Sequence, residues 1–299
     1  MIREIFYDHL LYEKRYSSHT VLAYRCDLTQ FENYLKEFYE TENEELVTNS
    51  MIRSWLASLI EEGITARTVN RKLSAVKTYY KFLLRTGLIT SNPVRLSTTL
   101  KTPVKLPSFA TKKEMNRALS FDSADNSFSK KRDIIVLEIF YSTGMRLAEL
   151  ENLKVDDINF YSQTIKVTGK RNKQRIIPVS EFLLNELKSY LTVREGIALE
   201  GVDNLIINDK GNAAKRNYFY SMVKKYLTIA GVTGKKSPHV LRHTFATIMM
   251  NEGADLNAIK EILGHSSLAS TQLYTHTNIE KLKSIYKQAH EWAQKKEES

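Results

Sequence analysis

Between Pro93 and Thr111 the chain carries three of its five prolines and no helical period. A proline removes a backbone donor and pushes the residue before it out of the helical region. The stretch NPVRLSTTLKTPVKLPSFAT therefore divides the 299 residues into two parts, and that length suits two ordinary domains. The division predicts a helical domain over 1–92, an extended basic linker over 93–110 with Arg95, Lys101 and Lys105, and a second domain over 111–299.

Before the break, apolar residues recur at helical spacing. Tyr24, Leu28, Phe31, Leu35 and Phe38 share one face of a helix from Ser18 to Tyr39. Ile52, Trp55, Leu56, Leu59 and Ile60 mark a second helix from Met51 to Glu62, with Gly63 as its stop. A third, from Thr68 to Arg85, turns Val69, Leu73, Val76, Tyr80 and Leu83 inward, and Gly87 follows it. Its other face carries Arg67, Arg71, Lys72, Lys77 and Lys81. Such a face is either solvated surface or a helix laid along phosphates, and both readings stand.

After the break the pattern is mixed. Arg132 to Tyr141 is almost wholly apolar, which predicts a central core helix; Ser142, Thr143 and Gly144 interrupt it, and a new helix starts near Arg146. Gln163–Val167 and Arg175–Val179 read as strands joined by the basic turn GKRNKQ. Helices are expected over Glu181–Arg194 and Ala214–Ala230. Ser237 and Pro238 give a cap and a first-turn proline to a helix ending near Met250. Asp255–Leu263 is another, stopped by Gly264, and Ser267 caps a short one carrying Tyr274. The expected fold class is mainly α with a small β-sheet.

Lys and Arg total 44 against 34 Asp and Glu, a net charge of +10. This favours a polyanionic partner, because each cation placed on a phosphate releases counterions. Solubility alone, a ribosome or a membrane surface would use the same charge. Cys26 is the only cysteine, which excludes an intramolecular disulfide and a cysteine-based metal cluster. The opening MIREIFYDHL lacks the apolar core of a secretory signal, and no stretch has the apolar length of a membrane span. The expected location is the cytoplasm.

A scattered set of residues carries the chemistry. In TGMRLAEL, Arg146 and Glu149 are three apart; in HVLRH, so are His239 and Arg242, which places each pair on one helical face. Lys170 sits at the hairpin tip, and LGH ends at His265, nine residues before Tyr274. Each fragment alone has a bland explanation: a surface arginine, a packed histidine, a solvated lysine. Together, two arginines, a lysine, two histidines and a tyrosine make a kit for metal-free phosphoryl transfer. The tyrosine hydroxyl is the nucleophile, guanidiniums clamp the non-bridging oxygens, and lysine or histidine moves protons.

On TGMRLAEL, SPHVLRHTFAT, LGHSSLASTQLYTH and the GK hairpin, in that arrangement, the sequence resembles the tyrosine recombinase (phage-integrase-type) family, closest to its Xer branch. The resemblance covers nearly the whole chain. It implies a helical, SAM-like core-binding domain followed by a mixed α/β catalytic domain. It implies catalytic roles for Arg146, Lys170, His239, Arg242, His265 and the nucleophile Tyr274, with Glu149 supporting them. Lys173 lies close enough to Lys170 to exchange with it in a slipped register. His243 and His276 are expected to be structural.

The resemblance further implies a 3′-phosphotyrosyl intermediate and a Holliday junction, with no cofactor, ATP or metal. The partners it implies are double-stranded DNA with a specific recombination site, four protomers on two duplexes (homo- or hetero-tetramer), a second Xer recombinase and a septal DNA translocase. Apolar residues at Leu282, Ile285, Ala289 and Trp292 suit either exchange of the tail between protomers or packing on its own domain. Lys215 and Lys224 join the basic helix and linker as candidate DNA contacts. Chromosome dimer resolution leads the functional readings; an integrase or invertase of a mobile element comes second, and a non-catalytic DNA-binding protein or a topoisomerase stands lower.

Overall fold

The computed structural model describes residues 2–103, 108–121, 125–169 and 172–264. The chain forms two compact units, Met1–Lys105 and Leu106–Ser299.

Unit 1 is helical: α1 (Ile2–Asp8) continuing into a π-turn (His9–Glu13), α2 (Ser18–Tyr39), α3 (Asn49–Glu61) and α4 (Ala66–Arg85). The starts of α2, α3 and α4 are fixed by Ser17, Thr48 and Thr65, whose side chains accept from backbone N–H groups of the first turn. Gly63 and Gly87 take the left-handed conformation that follows α3 and α4. Leu28, Phe31, Ile52, Trp55, Leu73, Val76 and Tyr80 form one core, as their spacing requires. Two expected core residues lie outside it: Phe38 is 59% and Ile60 48% exposed. Each sits at the edge of its helix's apolar stripe, and Phe38 stacks instead on Tyr34, with ring centroids 4.6 Å apart.

The proline-rich stretch begins as part of unit 1. Val94 is buried. Asn49 donates to the Pro93 carbonyl and Ser97, and Asn70 exchanges two hydrogen bonds with the backbone of Leu100. Side-chain amides thus pair backbone groups of a stretch that forms no helix or strand.

Unit 2 contains α5 (Lys112–Ser120), α6 (Phe128–Thr143), α7 (Leu147–Glu151), a three-stranded sheet of β1 (Ile158–Asn159), β2 (Thr164–Thr168) and β3 (Gln174–Pro178), then α8 (Glu181–Glu195), α9 (Arg216–Ile229), α10 (Pro238–Asn251) and α11 (Leu256–Leu263). α6 is buried nearly all round and packs on α8 and α10, the position expected of a helix without a polar face. The sheet is antiparallel in the order β1-β2-β3, with Ile165 opposite Ile177 and Val167 opposite Arg175. The strands fall one residue from their expected bounds, and the two-residue β1 is too short to carry a period of its own. Ser237 precedes α10, but its side chain makes no capping hydrogen bond; Pro238 alone marks that start. Ala110 donates its backbone N–H to Thr244 on α10 and fixes the entry into unit 2.

Among the described helices, none is long and apolar enough to cross a membrane.

Candidate active site

The site is built where α6 ends. Thr143 is wholly buried and its hydroxyl accepts from the Met145 N–H, while Gly144 turns the chain in the left-handed region (φ 58°). A Cβ on Gly144 would collide with the Phe245 ring and stand 2.9 Å from Leu263, so only glycine fits this close approach. The turn delivers Arg146 to the start of α7, where Glu149 reaches back to accept from the Arg146 backbone N–H at 2.7 Å. The same carboxylate accepts from the Arg146 guanidinium at 2.9 Å.

Glu149 is 4% exposed and has a second arginine. Arg175, from β3, lies fork to fork against it, with both N···O distances 2.8 Å. This bidentate pairing is the strong form of a charge-assisted bond. Burial pushes the Glu149 carboxyl up, yet the hydrogen bond and charge of Arg175, helped by Arg146, hold it below the usual range.

Three guanidiniums then converge on the end of α11. Arg175 donates to the Ile262 carbonyl (2.6 Å), Arg242 to Leu263 (2.6 Å) and Arg146 to Gly264 (3.1 Å). These consecutive carbonyls stand at the last turn of α11, the negative end of its dipole, where they accept from the arginines. Arg242 also donates to the Gly144 carbonyl at 2.7 Å. The site therefore joins α6, α7, β3, α10 and α11 through arginine side chains. Three guanidiniums face one carboxylate, a net charge of +2 among these groups. Burial, and then the neighbouring charges of Arg146 and Arg175, push Arg242 down to about 10. An anion placed between Arg146 and Arg242 would relieve that repulsion.

The structure thus gathers Arg146, Glu149 and Arg242. His239 is exposed on α10, three residues before Arg242. Lys170, His265 and Tyr274 lie outside the described residues, as do His276 and the tail stripe; Lys173 is described and exposed. The ring of His243 sits edge-on to Phe109 at 6.4 Å. Of the other tyrosines, Tyr218 donates to Asp133, and Tyr226 is buried.

Arg175 is the residue that motif reading passed over. Its signal lies in the strand alternation: Arg175 and Ile177 occupy inward positions of β3, and an arginine in a core slot demands a buried partner.

The basic face of α4 is divided. Arg67, Arg71 and Lys81 are exposed. Lys72 is spent within the unit, on Asp27 (3.1 Å) and Gln30 (2.5 Å), and Asp27, 2% exposed, also pairs with Arg71. Lys77 donates to the Ser97 carbonyl at 2.6 Å. Lys101, Lys215 and Lys224 are exposed, and Lys105 lies outside the described residues.

A helical unit followed by an arginine-centred α/β unit defines the class. Residues 108–281 match the phage integrase family and residues 4–87 the phage integrase N-terminal SAM-like domain. The chain belongs to the phage integrase family, the tyrosine recombinases, which are DNA strand-transfer enzymes, and is of the Xer type. It is 38% identical to the tyrosine recombinase XerC of Chlorobaculum parvum, over 96% of this chain and 93% of that protein. Identity to XerC of Thermodesulfovibrio yellowstonii is 37%, over 95% and 94%. Among solved structures, XerH site-specific recombinase bound to palindromic difH substrate, in a post-cleavage complex, superposes with a TM-score of 0.71 at 25% identity, over 89% of this chain and 79% of that one. A lambda integrase dimer bound to a COC′ core site shares the fold, with a TM-score of 0.69 at 17% identity, over 91% of this chain and 98% of that one.

Proposed function

We propose that this chain is a site-specific recombinase that cuts and rejoins DNA through a 3′-phosphotyrosyl bond to Tyr274 and a Holliday junction, in the service of chromosome dimer resolution. The observation that carries this reading is the guanidinium cluster, which keeps a net charge of +2 after its one carboxylate is counted. Arg146 and Arg242 take the non-bridging oxygens of the scissile phosphate as negative charge builds there.

The Tyr274 oxygen forms a bond to phosphorus and the bond to the 5′-oxygen breaks. Lys170 delivers a proton to that leaving oxygen, while His239 and His265 donate hydrogen bonds to the phosphate and receive the tyrosine proton. The phosphodiester energy is kept in the tyrosyl link, so a 5′-hydroxyl from the partner duplex attacks it without ATP. Glu149 holds Arg146 in place.

Four protomers on two duplexes carry out both exchanges, in the cytoplasm, with a second Xer recombinase and a septal DNA translocase as the expected partners. Relatives named XerC and a DNA-bound XerH structure support this reading. Arg67, Arg71, Lys81, Lys101, Lys215 and Lys224 are the candidate phosphate contacts, all of them exposed.

Covalent trapping tests the proposal. The protein is incubated without added metal on nicked duplexes from the chromosome-terminus region of its own genome, and adducts are resolved on a denaturing gel and mapped by mass spectrometry. An adduct at Tyr274, lost in Tyr274→Phe while DNA binding persists, is expected. Cleavage by Tyr274→Phe at the normal rate overturns the nucleophile. An adduct formed only on sites flanking mobile elements replaces chromosome dimer resolution with integration or inversion.

A further inference from the structure

We infer that Arg175 is a positioning residue for strand cleavage: through Glu149 and the Ile262 carbonyl it locks the hairpin strand β3, the start of α7 and the end of α11 into the one geometry in which Arg146 and Arg242 grip the scissile phosphate. The inference rests on the function proposed above and adds an eighth residue to its machinery.

Each donor group of this guanidinium has a separate task. Two arms hold the two oxygens of Glu149, and Nε holds Ile262. Arg175 is 7% exposed, so it is the buried member of the cluster, whereas Arg146 is partly open to solvent with a side-chain exposure of 39%. Arg175 therefore does not meet the phosphate; it acts on residues that do. Arg146 shares both oxygens of the same carboxylate, one through its side chain and one through its backbone. Arg242 is held at Leu263, the residue after Arg175's own acceptor.

Glycines pack on this pair from two sides. A Cβ on Gly264 would lie 3.2 Å from the Arg175 guanidinium, and one on Gly169 would lie 3.3 Å from the Glu149 carboxylate. Lys170 and His265 are the next residues in the chain after these two glycines. The Arg175–Glu149 pair thus leaves no free room for a side chain at either glycine, next to the backbone leading into two candidate catalytic residues, and it directly holds a third. A displacement of about 1 Å in such a framework costs cleavage on the order of a hundredfold.

Lysine cannot substitute. Its single ammonium can keep one Glu149 oxygen, but it lacks the planar fork needed to hold both oxygens and the carbonyl together.

The test uses the full chain and a nicked duplex that the wild type cleaves, with single-turnover rates at saturating protein. The end point of the reaction counts the active fraction, and DNA affinity is measured separately. Arg175→Lys and Arg175→Met are expected to bind DNA within about threefold of wild type, and to cleave about tenfold and about a hundredfold more slowly respectively, the scale set by misplacement of catalytic groups. Should Arg175→Met fail to fold, Arg175→Lys decides. A wild-type rate constant with a reduced end point or a lowered Tm alone would make Arg175 a stabilising residue and overturn the inference. A loss of affinity equal to the loss of rate would make it a DNA contact, with the same result. If the wild type itself forms no tyrosyl adduct on any genomic site, the proposed function falls and the inference with it; if it cleaves and Arg175→Lys cleaves equally well, only the inference falls.

Discussion

Arg242 donates to the carbonyl oxygen of Gly144 at 2.7 Å, joining α10 to the turn that ends α6. The bond exists because Gly144 has no side chain: the space where its Cβ would stand is filled by Phe245, three residues after Arg242 on the same helix. The turn and the arginine therefore depend on one another through both polar and apolar contacts.

Gly144→Ala should disturb both. The left-handed conformation costs an alanine about 1–2 kcal/mol, and overpacking against Phe245 and Leu263 adds about 1–3 kcal/mol. Thermal unfolding followed by circular dichroism is expected to show a clear fall in Tm, and cleavage should slow because the Arg242 acceptor moves. An unchanged Tm would mean that the turn relaxes freely.

Arg146→Ala and Arg242→Ala should each slow single-turnover cleavage by more than about a hundredfold, the scale of a lost donor to a developing oxyanion. Affinity for an intact duplex should change little, since most of it comes from other phosphate contacts. Loss of binding with chemistry intact would reduce both arginines to positioning the DNA.

Glu149 gives stability a pH dependence of fixed sign. Its carboxyl titrates below the ordinary value of 4.5 in the folded chain, because Arg175 and Arg146 outweigh the effect of burial. The stabilisation is complete above that ordinary value and is lost as pH falls through the lower, folded value. Urea unfolding of Glu149→Gln across this acid range should therefore show a shallower decline than wild type. Parallel declines would mean that other carboxylates dominate acid unfolding.

On α4, neighbouring cations should separate by task. Lys72→Ala removes a partner of the buried Asp27 and should destabilise unit 1 by about 1 kcal/mol, leaving the salt dependence of DNA affinity unchanged. Arg67→Ala should leave stability unchanged, and reduce the slope of log affinity against log salt by about 1. The reverse pattern would show that the ion pair with Asp27 opens on DNA.

Helices α2, α3 and α4 could be read from periodicity because it depends on local spacing, and their cores follow from the apolar face, whereas α6 was legible as a nearly unbroken apolar run. The edge of a stripe is different. Residue type does not separate Phe38 or Ile60 from the buried residues beside them; exposure is set by how far the packed neighbours reach across the stripe. The same limit applies to Ser237, which has the right residue type for a cap but makes no capping bond.

The chemical inventory was legible in the chain: two arginines, a glutamate, histidines, a lysine and a tyrosine in an arrangement that resembled one family, since residue type and spacing need no fold to be read. Packing of the elements added that Arg175 joins Glu149, that three arginines end on the consecutive carbonyls Ile262, Leu263 and Gly264, and that Lys72 turns to Asp27. These pairings join residues 21 to 118 positions apart, and a buried charge takes whichever partner the packed elements bring within reach, which no local pattern encodes.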